Sequence, residues 1–240
     1  MAASRSIFRF KQFQLAHGNP GLKISTEACL FGAWASQWAQ GRMLDIGTGS
    51  GLLACMLAQK HPESLIDALE ILPEVAMLAT DNVLKSPFKE QISVHTGDLQ
   101  HFSSEDPYDF IACNPPFFHQ HLAADKKDLQ VAIHDDLLTA QDLAIGIQRL
   151  LGQQGQFAVI YPPFAMEKFI VACSELGLQI NHKAYVFPRE TSAVLRVMAI
   201  GSRDNSAQSH ENLVIKQADE SYTETFKKLL SDYYLQFPLH

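Results

Sequence analysis

The sequence predicts an open α/β fold, a mostly parallel sheet with helices on both faces, and three observations point to it. Short apolar strand runs alternate with helical runs from Met43 onward. A glycine-rich turn, Gly47-Thr48-Gly49-Ser50-Gly51, joins the first of these strands to a helix. Four successive strands end on polar side chains, and ligands of open α/β sheets bind at that carboxyl edge.

Bulk properties fit one α/β domain covering residues 1–240, with residues 1–25 as an N-terminal arm. Apolar residues make up 47% and charged residues 19%, an ordinary soluble balance. No apolar run is long enough to span a bilayer. Residues 1–10 lack a secretory pattern, so a cytoplasmic protein is expected. Cys29, Cys55, Cys113 and Cys173 lie far apart in apolar contexts. They read as buried small hydrophobes, not as a disulfide frame or a zinc site. The net charge of −7 disfavours non-specific nucleic-acid binding by the whole surface, so any RNA site has to be a local basic patch.

Such a patch opens the chain. Arg5, Arg9, Lys11 and Lys23 precede the first acidic residue, Glu27, and Phe8, Phe10 and Phe13 are interleaved with them. Basic side chains contact phosphates, and aromatic ones stack on unpaired bases. The same pattern equally suits an N-terminal strand with solvated charges and a phenylalanine face on the core. Asn19-Pro20-Gly21 marks a turn. Ser25 or Thr26 then caps a helix through Ala28, Leu30, Phe31, Trp34 and Trp38, closed by Gly41.

Met43 to Gly47 reads as a short buried strand, and Leu52 to Lys60 as the helix opened by the glycine turn. Glycines let backbone approach a ligand with no Cβ in the way. Their spacing is G-x-G-x-G, not the dinucleotide G-x-G-x-x-G. Asp45, two residues before Gly47, would oppose a pyrophosphate and attract an ammonium. S-adenosylmethionine (SAM) carries an ammonium and a sulfonium and no phosphate, so it is favoured over NAD. Leu65 to Ile71 is the second strand; Glu70, at its end, can accept both hydroxyls of a ribose. Pro73 suits the first turn of the next helix. Ile92 to Thr96 is the third strand, followed by Gly97-Asp98-Leu99. Asp98 can accept from an adenine amine, or simply sit in a β-turn.

The fourth strand, Tyr108 to Ala112, delivers Cys113-Asn114-Pro115-Pro116-Phe117-Phe118. Two prolines fix φ and offer no N–H, so the turn is stiff. Asn114 adds a side-chain carbonyl, and Phe117 adds a flat apolar face. Acceptors at the edge and a ring on the face suit a nucleobase bearing an exocyclic amine. Alone, the tetrapeptide is also a common turn at a strand exit. Residues 118–136 form a long polar connection read as a lid, and His119, His121 and His134 within it lack the spacing of a metal site. Helices are expected at 139–151, 166–176 and 222–234, a strand at 156–161 and a turn at Pro162-Pro163. An antiparallel pair is expected at 178–186 and 193–200, and a polar loop at 204–212.

Asp45-Ile46-Gly47-Thr48-Gly49-Ser50-Gly51, Glu70, Asp98 and Asn114-Pro115-Pro116-Phe117 together resemble a class I SAM-dependent amino-methyltransferase. The N-terminal run Phe8 to Phe13, with Lys23 to Glu27 and Leu30 to Trp34, is similar to the bacterial tRNA1(Val) adenine-37 N6-methyltransferase family. The likeness continues to Tyr233-Tyr234-Leu235. It implies a Rossmann-like seven-stranded sheet with the last strand antiparallel. It implies a cofactor site from Lys23, Thr26, Asp45, Gly47, Thr48, Gly49, Gly51, Glu70, Ile71, Asp98, Leu99 and Asn114. It implies chemistry at Asn114, Pro115, Pro116 and Phe117, and contacts of Arg5, Arg9, Lys11, Phe117 and Phe118 with a tRNA anticodon stem-loop. A monomer with neither metal nor membrane is expected. Two alternatives share the Asn-Pro-Pro slot: rRNA guanine-N2 methylation, which the Phe at 117 also resembles, and protein glutamine methylation. Barely 40 residues precede the glycine turn, which counts against the second. A binding module that has lost its chemistry is disfavoured by the intact glycines and Asn114-Pro115-Pro116.

Overall fold

The computed structural model describes residues 6–17, 24–115 and 138–237. Two strands, β1 (Ser6–Arg9) and β2 (Gln14–His17), pair as an antiparallel hairpin before the first helix, α1 (Thr26–Ala35). Then follow β3 (Met43–Ile46), α2 (Leu52–Lys60), β4 (Ile66–Glu70), α3 (Pro73–Leu84), β5 (Ile92–Thr96) and β6 (Tyr108–Cys113). The rest comprises α4 (Ala140–Leu150), β7 (Leu151–Tyr161), α5 (Pro163–Glu175), β8 (Gln179–Arg189), β9 (Arg196–Ser202), β10 (Ser209–Lys216) and α6 (Glu224–Leu230).

Eight strands form the main sheet in the order β10-β8-β9-β7-β6-β3-β4-β5. Every neighbouring pair is parallel except the two that involve β9, which is antiparallel to both β7 and β8. The mostly parallel Rossmann-like sheet is as expected, but the count is eight where seven strands were expected. The extra one is β10, whose first half lies in the stretch 204–212 read as a polar loop. Its first half, Ser209-His210-Glu211-Asn212, is polar; only Leu213 and Ile215 turn inward. An edge strand is hydrogen-bonded along one side only, so so weak an alternation suffices.

Strand alternation builds two cores. Met43, Phe110 and Met198 face a cluster with Leu30, Phe31 and Trp34 of α1 and Met56 and Leu57 of α2. Leu44, Ile111 and Phe157 face the other, with Leu143 and Ile147 of α4 and Phe169 of α5. A period of two with both faces apolar is the mark of a sheet covered on both sides. All four cysteines are buried, as expected of small hydrophobes.

Candidate active site

Chain order around β3 makes the crevice. From β3 the strands step to β4 and β5 on one side and to β6 and β7 on the other. The carboxyl ends of β3 and β6 therefore flank the point where the winding reverses, which is where open sheets bind ligands. Register aligns Ile46 with Leu69 and with Cys113. The residues that follow these positions, Gly47, Glu70 and Asn114, so emerge along one edge, with Asp98 beyond β5. The sequence-predicted set at the four strand ends is thus brought together.

The glycine loop is held by backbone geometry and two carboxylates. Gly47, Gly49 and Gly51 have φ of 71°, 58° and 82°, the left-handed region that glycine alone enters freely. The N–H groups of Gly47 and Thr48 both donate to the Leu69 carbonyl. Glu70 is 6% exposed. Its Oε2 accepts from the Gly49 N–H at 3.0 Å and its Oε1 from the Leu72 N–H at 3.1 Å. Each oxygen keeps a second lone pair for a ligand hydroxyl.

Asp45 differs from its expected role. Its side chain is 1% exposed, and Oδ2 accepts from Thr48 Oγ1 at 2.6 Å and from the Ala54 N–H at 3.1 Å. It braces the loop against the start of α2 and does not lie open to an incoming ammonium. Burial pushes its carboxyl from the ordinary 3.8 up to about 7, with the Glu70 charge adding to the rise. The folded protein then holds a proton that the unfolded chain releases. Stability from this group is complete below about pH 4 and is lost as pH rises through about 7. Urea unfolding at about pH 5 and about pH 8 should show that loss in the wild type and a smaller one in Asp45→Asn. An identical pH dependence in both proteins would count against the assignment.

Asn82 escaped sequence reasoning. It lies in α3 and is 2% exposed. Its Oδ1 accepts from the Ala16 N–H, and its Nδ2 donates to the Ala16 and Ser50 carbonyls, all at 2.9 Å. One amide thus pairs with both polar groups of a β2 residue, as a neighbouring strand would, and fastens the hairpin to the glycine loop. A lone Asn in an amphipathic helix carries no signal of this at the sequence level.

The hairpin places the other expected contacts. Phe10 and Phe13 are buried with ring centroids 4.4 Å apart, so these two are core residues and not base-stacking ones. Arg9 is exposed. Lys11 turns inward, and its Nζ donates to the Ser231 and Phe237 carbonyls near the C-terminus. Ser25 caps α1 through the Ala28 N–H, leaving Thr26 exposed at the first turn. Ile71 is half-buried beside Glu70; Asp98 is half-buried, with Oδ1 accepting from the Gln100 N–H. Leu99 is buried against Gly146. Asn114 is half-buried and Pro115 buried at the β6 exit. Arg5, Lys23, Pro116, Phe117, Phe118, His119, His121 and His134, and the expected lid at 118–136, lie outside the described residues.

A family model described as methyltransferase small domain matches residues 26–164. The chain belongs to that family. The tRNA1(Val) (adenine(37)-N6)-methyltransferase of Bacteroides thetaiotaomicron is 36% identical over 229 residues, covering 95% of this chain and 97% of the relative. The protein of the same name from Serratia proteamaculans is 37% identical over 235 residues, covering 96% and 90%. The expected likeness to that group is borne out. A crystal structure of a predicted O-methyltransferase from Agrobacterium tumefaciens superposes with a TM-score of 0.64 at 16% identity, over 85% of this chain and 95% of that one. At that identity the likeness is one of fold.

The expectation of SAM as the cofactor of this methyltransferase is borne out too, and the crevice suits it. A Cβ built on Gly47 meets nothing within 4 Å, so the glycine faces open space into which a ligand can come against backbone. The Glu70 carboxylate beside the loop would repel a pyrophosphate and favour a cationic ligand. Glu70 closes β4 and Asp98 follows β5 at the same edge.

Proposed function

We propose that this methyltransferase methylates N6 of an adenine in the anticodon loop of a tRNA, adenine-37 of a valine tRNA being the expected target. The observation that carries the reading is the Asn114-Pro115 corner at the exit of β6, next to the glycine loop of β3. The names of the relatives, which span nearly the whole chain, supply the substrate.

The exocyclic nitrogen of adenine is a poor nucleophile because its lone pair is delocalised into the ring. Asn114 Oδ1 and the Pro115 carbonyl each accept one N–H of that amine. Two fixed acceptors pull the nitrogen toward tetrahedral geometry and aim its lone pair at the donor methyl. They also stabilise the positive charge that develops on nitrogen during transfer. Bound SAM supplies an electrophilic methyl group. The methylated nitrogen is acidic and loses its proton afterwards, so no histidine is required as a base. The target base leaves its stack at a cost of roughly a few kcal/mol, less in a single-stranded loop, and Phe117 supplies the ring it stacks on.

The chain works as one domain over 1–240, with 1–25 as its arm. It acts as a cytoplasmic monomer. Among the described residues no helix is long and apolar enough to cross a membrane. Labelled SAM should transfer methyl to tRNA from cells lacking the gene, and digestion should place the label in N6-methyladenosine from the anticodon loop. Label found instead in ribosomal RNA as a guanine-N2 methyl group, or in a protein glutamine, would replace this reading.

A further inference from the structure

We propose that Phe164 and Lys168, in the first turns of α5, form a second docking element for the RNA. A base flanking the target stacks on the Phe164 ring, and a neighbouring phosphate meets the Lys168 ammonium. The inference rests on the RNA substrate proposed above.

Phe164 is the only exposed phenylalanine among the described residues, with 67% of its surface open. Phenylalanine is ordinarily buried, so an exposed ring needs a reason. Lys168, one helical turn on, sits with Nζ 4.5 Å from the ring centroid. Lys168 has no carboxylate partner among the described residues, although Glu167 is exposed beside it. The ring face that Lys168 leaves open, beside a cation that makes no ion pair among the described residues, matches one base and its phosphate.

Register decides where this pair stands. β6 and β7 run parallel with Cys113 opposite Val159. Just past Cys113 come Asn114-Pro115-Pro116-Phe117; just past Val159 come Ile160-Tyr161-Pro162-Pro163-Phe164. Asn114 and Phe164 therefore both lie past the carboxyl ends of neighbouring parallel strands, at one edge of the sheet. The sequence read Pro162-Pro163 as a turn, with a helix beginning near Met166. In the structure Pro162 caps α5 and Pro163 opens it, positions that suit a residue with fixed φ and no N–H. The prolines fix the backbone leading into Phe164 at the sheet edge that also carries Asn114, so little backbone freedom is lost when a base stacks.

The test uses the full chain and an anticodon stem-loop RNA, with binding read by fluorescence anisotropy and turnover by methyl transfer. Phe164→Ala should weaken RNA binding and raise the RNA KM about tenfold or more, the scale of one base–aromatic stack. SAM affinity and thermal midpoint should stay at wild-type values, and Phe164→Trp should restore binding. Lys168→Ala should lower the slope of log affinity against log salt by about one. Wild-type RNA affinity in Phe164→Ala overturns the element and leaves the proposed reaction untouched. Wild-type protein that binds the RNA, weakly so in Phe164→Ala, but methylates another nucleotide overturns the proposed target and leaves the element standing. A wild type that does not bind the RNA overturns both. Loss of a protein contact in Phe164→Ala at unchanged RNA affinity would hand the surface to a protein partner.

Discussion

Asn114→Ala lowers kcat for methyl transfer by about a hundredfold or more, while SAM affinity stays close to wild type. The scale is that of removing one pre-positioned hydrogen-bonding group aimed at developing charge. The argument is geometric. Asn114 follows the last residue of β6, with Cys113 locked opposite Ile46 on one side and Val159 on the other. Pro115 behind it restricts the Asn114 backbone to extended conformations. The backbone that carries the amide is therefore fixed by two flanking strands and a ring, which limits what must reorganise when the amine arrives. Alanine keeps the strand and the proline and deletes only the acceptor. Isothermal titration with SAM and single-turnover methylation of tRNA separate the two effects. Full single-turnover activity in the variant would remove Asn114 from the chemistry, and loss of SAM binding would support the cofactor contact that the family resemblance implies for it.

Gly47→Ala reduces SAM affinity by about tenfold to a hundredfold, with only a small loss of stability. At φ 71° an alanine carries strain of about 1 kcal/mol, which in a protein of this size lowers the thermal midpoint by a few degrees. The added Cβ finds no protein atom within 4 Å, so the unliganded fold accommodates it. A ligand lying on the loop does not, because the methyl group occupies the space the ligand needs; overfilling a packed site costs about 1–3 kcal/mol. Gly51 offers the contrast. Its Cβ would lie 3.7 Å from Val83 and 3.8 Å from Ala79, ordinary protein contacts, so the same substitution there meets the fold and not the ligand. Calorimetric titration of SAM with a melting curve for each variant reads both quantities. Unchanged affinity in Gly47→Ala would mean the cofactor does not lie against this glycine.

How much was legible follows from the range of each signal. The glycine loop, Glu70, Asp98 and the Asn114 corner were readable because each is a short contiguous motif at a strand end, and parallel strands carry such ends to one edge. Asp45 was recognised but given the wrong surroundings. Sequence shows a carboxylate near the loop, whereas only packing shows that Thr48 and Ala54 consume it. Lys11 is similar: a cation near the chain start looks free until the C-terminal segment folds over it. Asn82 joins residues 66 and 32 positions away, and nothing in its own neighbourhood announces that.

By itself the sequence determined the class of fold and the strand ends that carry the glycine loop, Glu70, Asp98 and Asn114, because periodicity and strand-end motifs are local. The tertiary structure decided the eighth strand, which phenylalanines are core and which one is exposed, and which carboxylates serve the loop instead of the ligand. Those outcomes depend on burial and on partners distant in the chain, and burial is a property of the assembled layers that no single segment carries.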